Sequence, residues 1–111
     1  MCRQGDIVLI LVPFSDLKKQ KQRPVLVISN DNYNQITEDI IVLAITSSLK
    51  GFDYSVIIDS KDLTEGHLKV TSEVRVDKVY TLSKNIVKKK FGHVNSDILK
   101  SVRKKLNELI T

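Results

Sequence analysis

The sequence contains no tryptophan, one cysteine and two histidines. The single cysteine, Cys2, cannot form an internal disulfide or a cysteine-rich metal site. The histidines, His67 and His93, stand far apart, and the acidic residues form no pair at the spacing of metal ligands. These shortages argue against zinc and calcium centres. We therefore expect no metal and no other cofactor.

Glycine is also scarce, and its four residues are scattered along the chain. The sequence therefore lacks the glycine-rich phosphate loop and the dinucleotide fingerprint. It also lacks the nucleophile elbow of a serine hydrolase. The longest apolar run, residues 40–45, is too short to span a bilayer, and no signal-peptide pattern precedes it. We expect a soluble, cytoplasmic protein.

The composition is sufficient for one compact domain, which we predict to cover residues 1–111. Hydrophobic residues make up 41% of the chain and aromatic residues only 5%, so the core must be aliphatic. Lysine and arginine exceed the acidic residues by 5 charges. A basic balance favours polyanionic partners such as nucleic acids, because neutralised phosphates release counterions. Simple solubility is the alternative explanation of this charge.

Short apolar runs separated by polar segments indicate a succession of β-strands. The predicted strands are residues 7–12, 23–29, 40–46, 54–59 and 69–74, with a last one inside 85–94 after a short helical turn. The segments 14–22 and 30–39 are predicted to be irregular, the first as a mobile basic loop. Residues 60–66 are also predicted to be irregular with at most one helical turn, and residues 76–84 are ambiguous.

The C-terminal segment has a different period, since its apolar residues recur at helical spacing. Asn95 or Ser96 can cap this helix, and Asp97 suits the positive end of its dipole. The apolar stripe consists of Ile98, Leu99, Val102, Leu106, Leu109 and Ile110. Strands followed by one amphipathic helix predict a mainly β, α+β fold, in which the helix covers a strongly curved antiparallel sheet.

Arginines and hydroxyls are the remaining groups that can carry chemistry. Arg23 precedes Pro24, which favours an extended backbone at the entry to a strand. Thr46 and Ser47 follow the most apolar strand, where a scaffold can present polar groups to a cleft. Each feature has a simpler explanation, a surface arginine in one case and a hydroxyl-rich turn in the other.

Arg75 and Asp77 form a third candidate pair, because alternation in an extended segment places both side chains on one face. They could bind a phosphate and orient a base. On this pattern alone, an ion pair across that face is the favoured explanation, and an exposed pair contributes only about 0–1 kcal/mol to stability.

Five segments stand out in order along the chain: GDIVLI, QRPVLVISND, IIVLAITSS, SEVRVDKVYTL and the closing VKKKFGHVNSDILKSVRKKLNELI. Together they resemble the MazF/PemK (Kid) family of toxins from type II toxin–antitoxin systems. The resemblance covers nearly the whole chain, and RPVLVI followed by AITS at this spacing is its most specific part. It implies an SH3-like barrel, a homodimer, and an endoribonuclease that cuts single-stranded mRNA and is inhibited by an acidic antitoxin.

The same resemblance implies the site residues. The arginine before proline in the second strand corresponds to Arg23, and the threonine that ends the third strand corresponds to Thr46. The PemK-type Arg-x-Asp pattern corresponds to Arg75 and Asp77. Ser47 is expected to assist Thr46, and the residues expected to bind RNA near Arg23 are Lys18, Lys19, Lys21 and Gln22.

The segment before Arg23 departs from the family, because it carries lysines where relatives often have glycine and some have histidine. The cleavage sequences of relatives therefore do not transfer to this chain. Without a metal, the RNA 2′-hydroxyl can attack the adjacent phosphorus and leave a 2′,3′-cyclic phosphate and a 5′-hydroxyl. Two alternatives stay open: a protein-binding toxin of the same fold, similar to the gyrase poison CcdB, and an RNA-binding barrel without catalysis.

Overall fold

The computed structural model describes residues 2–13 and 20–111 of the chain. The strands in this part are Asp6–Pro13 (β1), Gln20–Val27 (β2), Asp39–Thr46 (β3), Ser55–Ile58 (β4), Leu63–Gly66 (β5), Ser72–Ser83 (β6) and Val87–Val94 (β7). The helices are Asp31–Ile36 (α1) and Ser96–Ile110 (α2), with 3-10 turns at Ser60–Asp62 and Lys84–Ile86.

These strands form one antiparallel sheet in the order β4-β6-β3-β2-β1-β7-β5, curled into a half-barrel. The predicted fold class, a strongly curved antiparallel sheet with a C-terminal helix, is confirmed. The predicted strand 40–46 is central, since β3 lies between β2 and β6. The continuous apolar run of β3 reflects burial on both faces.

Strand alternation divides the core into two clusters, one on each face of the sheet. Neighbouring residues such as Ile7 and Val8 are both buried but belong to different clusters. The first cluster is covered by α2, which contributes Ile98 and Val102. On the other face, Leu82 at the far end of β6 packs against the second cluster. The strands that carry the candidate site are therefore held rigidly from both sides.

The C-terminal helix begins where the sequence predicts. Asn95 is the N-cap, and its side chain accepts the N–H of Ile98 at 2.9 Å. The short turn before the last strand is also confirmed, as the 3-10 turn Lys84–Ile86 followed by β7.

Four predicted segments differ from the structure. Residues 20–22 belong to β2 and not to the loop. Within the described residues this stretch pairs with β1 alone, and its polar sequence lacks the apolar pattern of a strand. Residues 30–39 contain α1, which is too short to show a helical period, although the Asn30 side chain caps it by accepting the Tyr33 N–H.

The other two differences lie after β4. The predicted strand 69–74 begins only at Ser72, and it continues through the ambiguous residues 76–84 as the long strand β6. The predicted segment 60–66 has its one helical turn at Ser60–Asp62, but it then forms β5, an edge strand of four residues that pairs with β7. A short and largely exposed edge strand gives almost no apolar pattern, which explains why the sequence does not reveal it.

Candidate active site

Pro24 lies next to the point where the pairing between β2 and β3 ends, beside the candidate site. The pairing between β2 and β3 runs from Val27 to Val25 and ends there, with Val25 opposite Ala44. Proline has no N–H to donate to the next step of this ladder. The same register, continued by two residues, sets Arg23 opposite Thr46. Both residues line the clefts at the place where the two central strands no longer pair with each other.

Two clefts meet at this opening. The first cleft has a volume of about 490 Å³ and the second about 520 Å³. Both are lined by Arg23, Pro24, Ile45 and Thr46. The first cleft is also lined by Ser48, Lys50, Arg75, Lys78, Tyr80 and Leu82, and the second by Gln22, Ser47, His67, Lys69, Lys89 and Phe91, among others. The predicted pair Arg23 and Thr46 thus forms the ridge between two cationic clefts.

Arg23 is exposed on this ridge, and it forms no hydrogen bond and no ion pair with the residues that the structure describes. Its neighbours in the second cleft include Lys69 and Lys89. A planar guanidinium matches the geometry of a phosphate. Within the described residues, no internal contact of Arg23 has to break before an anion binds there.

Thr46 is half-buried at the end of β3, and its Oγ1 accepts the N–H of Ser48 at 3.1 Å. This bond uses the acceptor side of the hydroxyl and leaves its hydrogen free to donate. Ser47 is exposed and lines the second cleft. A fixed threonine hydroxyl beside a free arginine can align an oxygen of a bound phosphodiester.

Arg75 is engaged by Asp77. The Arg75 Nε donates to Asp77 Oδ1 at 2.9 Å, and Nη2 donates to Oδ2 at 2.8 Å. The guanidinium also lies over the Phe52 ring, 4.5 Å from the centroid. The hydrogen bonds lower the pKa of Asp77 and raise that of Arg75. The interpretation as an ion pair is confirmed.

A bulge in β6 shapes this pair. Arg75 lies opposite Ala44 of β3, but Val79 already lies opposite Leu43, so residues 76–78 have no partner on β3. A bulge re-aims side chains locally. Arg75 lines the first cleft together with Lys78, whereas Asp77 is held against the guanidinium of Arg75. Arg75 thus brings a second cation near the ridge.

The predicted RNA-binding residues have different outcomes. Gln22 is exposed and lines the second cleft, and Lys21 is exposed next to it on β2. Lys18 and Lys19 lie outside the described residues.

Several site residues are missing from the sequence-based prediction. They are Ser48, Lys50, Phe52, Lys78 and Tyr80 near the first cleft, and His67, Lys69, Lys89 and Phe91 in the second. No spacing in the sequence indicates them, because the sheet topology and not their order brings them together.

Two further findings apply to the described residues, 2–13 and 20–111. No group of three or more His, Cys, Asp or Glu side chains is arranged to hold a metal ion there. In the same range, neither helix has the length and apolar character required to cross a membrane.

Comparison with known proteins places this geometry in a family. The family model for PemK-like, MazF-like toxins of type II toxin–antitoxin systems matches residues 3–110. The chain belongs to this toxin family. A curated relative, the endoribonuclease MazF of Staphylococcus saprophyticus, is 28% identical over 103 residues, which are 92% of this chain and 85% of the relative.

Solved structures agree with this assignment. A MazE–MazF structure from Deinococcus radiodurans (Form-II) is 26% identical, has a TM-score of 0.82, and is matched over 98% of this chain and 95% of its own. An endoribonuclease in complex with its cognate antitoxin from a mycobacterial species has a TM-score of 0.79 at 20% identity, over 99% and 95% of the two chains. The second likeness concerns the fold alone.

Proposed function

We propose that this chain is a toxin endoribonuclease that cleaves single-stranded mRNA at a specific sequence without a metal ion. The observation that carries the proposal is that Arg23, exposed and without a hydrogen bond or ion pair in the described part of the chain, lines two cationic clefts together with Thr46. The endoribonuclease activity of the curated relative supports the reaction class. The action takes place in the cytoplasm, where mRNA is available.

In the proposed reaction, the RNA 2′-oxygen attacks the adjacent phosphorus, and the bond to the 5′-oxygen of the next nucleotide breaks. The products are a 2′,3′-cyclic phosphate and a 5′-hydroxyl. Arg23 stabilises the additional negative charge on the phosphorane, which is usually the largest contribution that a protein makes. Thr46 donates to the 2′-oxygen or to the phosphate and keeps the attacking oxygen in line, with Ser47 assisting.

Arg75 is the second phosphate ligand, and Asp77 holds its guanidinium. Asp77 also stays a candidate for the proton acceptor, but its lowered pKa makes it a weak base. The nucleotides on either side of the cleaved bond occupy the two clefts, because the ridge separates them. Gln22 contacts the RNA in the second cleft. Lys18, Lys19 and Lys21 bind phosphate groups of the RNA, and such lysine contacts bind without reading sequence.

We further propose that the chain acts as a homodimer and is inhibited by an acidic antitoxin. The net charge of +5 favours an acidic partner, because opposite charges steer association. A related structure contains a cognate antitoxin, which supports the same kind of partner here.

One assay tests the proposal against both alternatives. The purified chain is incubated with single-stranded RNA in excess EDTA, and the fragment ends are analysed. We expect fragments with 2′,3′-cyclic phosphate and 5′-hydroxyl ends. Binding of RNA without fragments would indicate an RNA-binding barrel, and inhibition of gyrase without any effect on RNA would indicate a CcdB-like poison.

A further inference from the structure

Glu73 on β6 is a buried carboxylate for which the proposed reaction has no role. Its side chain is 0% exposed. A charged group is costly to remove from water unless its hydrogen bonds are replaced. Oε1 accepts the N–H groups of Lys50 and Gly51 at 2.9 and 3.1 Å, whereas Oε2 has no hydrogen-bond partner within the described residues. Packing alone therefore does not explain why a charged side chain is buried at this position.

The turn that Glu73 binds has the geometry of an anion-binding nest, in which successive N–H groups converge on one negative atom. Gly51 has a φ of 63°, in the left-handed region that favours glycine. Burial by itself raises the pKa of Glu73, but the donated N–H groups outweigh it and lower the pKa. Glu73 is therefore charged at neutral pH and holds the loop after β3 by its charge.

This loop connects three parts of the site. It starts at Thr46, which lies directly opposite Glu73 in the pairing of β3 with β6. Its middle contributes Lys50 to the first cleft. One residue beyond Gly51, Phe52 lies beneath the Arg75 guanidinium and meets Tyr54 edge-on at 6.0 Å. A shift of the turn would therefore move Lys50, a cation of the first cleft. It would also move Phe52, the ring that supports the Arg75 guanidinium.

We propose that Glu73 is a positioning residue of the active site: its carboxylate fixes the turn at Lys50 and Gly51 and so holds Phe52 beneath Arg75. The inference rests on the proposed ribonuclease function. Glu73 does not touch the RNA. It acts through the loop, so its removal changes the rate of cleavage and not the chemistry.

The chain offers a matched control, because Asp6 is also 0% exposed but lies at the start of β1 and lines neither cleft. Glu73→Gln and Asp6→Asn each remove one buried charge and keep the size of the side chain. We expect Glu73→Gln to lower kcat about 10- to 100-fold, since small misplacements at a site are that costly. Asp6→Asn is expected to keep the kcat of the folded protein.

A double-mutant cycle distinguishes positioning from a general structural effect. Phe52→Leu removes the ring beneath Arg75, and we expect Glu73→Gln to have less than half of its logarithmic effect in that background. Independent of activity, the backbone N–H resonances of Lys50 and Gly51 should move upfield in Glu73→Gln and stay in place in Asp6→Asn. Full additivity, or unchanged kcat with shifted resonances, would overturn the proposal.

Gly51→Val perturbs the same turn without altering Glu73, and it serves if Glu73→Gln does not fold. Within the described residues, nothing apart from the chain neighbours lies within 4 Å of an added Cβ, so the strain falls on the backbone conformation, which has a φ of 63°. It should reproduce the loss of kcat, and retention of the full rate would contradict the proposal. If neither wild type nor variants cleave RNA while the resonances shift as expected, the proposed function fails and the role of Glu73 in the turn stands.

Discussion

Arg23 and Arg75 line the same cleft in different electrostatic states. Arg23 is exposed and unpaired within the described residues, whereas Arg75 is held by the two hydrogen bonds that it donates to Asp77 and by the ring of Phe52. The Arg23 guanidinium keeps its full charge for interaction with a phosphate, but its side chain must become ordered when the phosphate binds. The Arg75 guanidinium is already ordered, but the charge of Asp77 cancels part of its electric field. The site thus combines one cation suited to charge stabilisation with one suited to orientation.

Arg23→Glu is expected to have the largest effect, since it reverses the charge at the ridge. Cleavage should fall more than about 10³-fold, because the loss of the stabilising charge is joined by repulsion of the phosphate. Single-turnover cleavage in EDTA measures this. Lys21→Glu is the matched control on the same strand. An equal loss in Lys21→Glu would mean that the effect of Arg23→Glu reflects only the general attraction of RNA to positive charge.

Thr46→Val should come next, with a loss of roughly 10- to 100-fold, the range for one hydrogen bond to a charged group. The change keeps the shape of the side chain and removes the hydroxyl. Thr46→Ser should recover most of the rate in the same assay. If Thr46→Ser is as slow as Thr46→Val, the methyl group and not the hydroxyl is important, and Arg23 acts without this partner.

Asp77→Asn tests the held arginine. We expect a loss of about 5- to 10-fold, the same as in Arg75→Ala, because the amide no longer fixes the guanidinium by charge. The pKa of Asp77 is lowered, so the pair should persist as pH falls through the ordinary range of a carboxylic acid. A loss much larger than that of Arg75→Ala would instead identify Asp77 as the proton acceptor.

Asp6→Asn should have the smallest effect on activity and a clear effect on stability. Asp6 Oδ1 lies 2.7 Å from His93 Nδ1 and 3.3 Å from Lys90 Nζ, and Oδ2 accepts the Arg3 N–H at 2.8 Å. We expect the free energy of unfolding to fall by about 1–3 kcal/mol. Chemical denaturation measures it, and an unchanged midpoint would refute this role.

The pH dependence of wild-type stability has a definite sign for the same group. Burial alone would raise the pKa of Asp6, but the hydrogen bonds from His93 and Arg3 lower it. A depressed folded-state pKa gives stability that is present above the ordinary aspartate pKa and is lost as pH falls through the folded value. Denaturation between neutral pH and pH 3 should show this loss in wild type and a smaller one in Asp6→Asn.

The sequence predicts the site only when its local patterns are combined with the resemblance to the MazF/PemK family. Pro24 favours an extended Arg23, and Thr46 ends an apolar strand, but each pattern alone is also that of an ordinary surface arginine or a hydroxyl-rich turn. The position of the two residues opposite each other depends on the register between β2 and β3, which the sequence does not state. The sequence does not indicate Phe52 or Glu73 either. Phe52 is a single aromatic residue in a turn, and Glu73 has the pattern of an ordinary glutamate in a strand.

The same distinction between local sequence patterns and long-range strand pairing applies to the fold. The apolar strand β3 and the amphipathic helix α2 are predictable, because periodicity and capping are local. The short strand β5 and the bulge after Arg75 are not, since pairing with distant strands creates them. Pairing between strands that are distant in the sequence therefore determines local features of the cleft, such as the bulge after Arg75.

The most direct test of the account compares single-turnover cleavage by Arg23→Ala and Arg75→Ala in EDTA, with thermal unfolding as the check on folding. We predict a loss of about 10²-fold or more for Arg23→Ala and about 10-fold or less for Arg75→Ala, with both variants folded. Cleavage by Arg23→Ala at the wild-type rate, or a greater loss in Arg75→Ala, would contradict it.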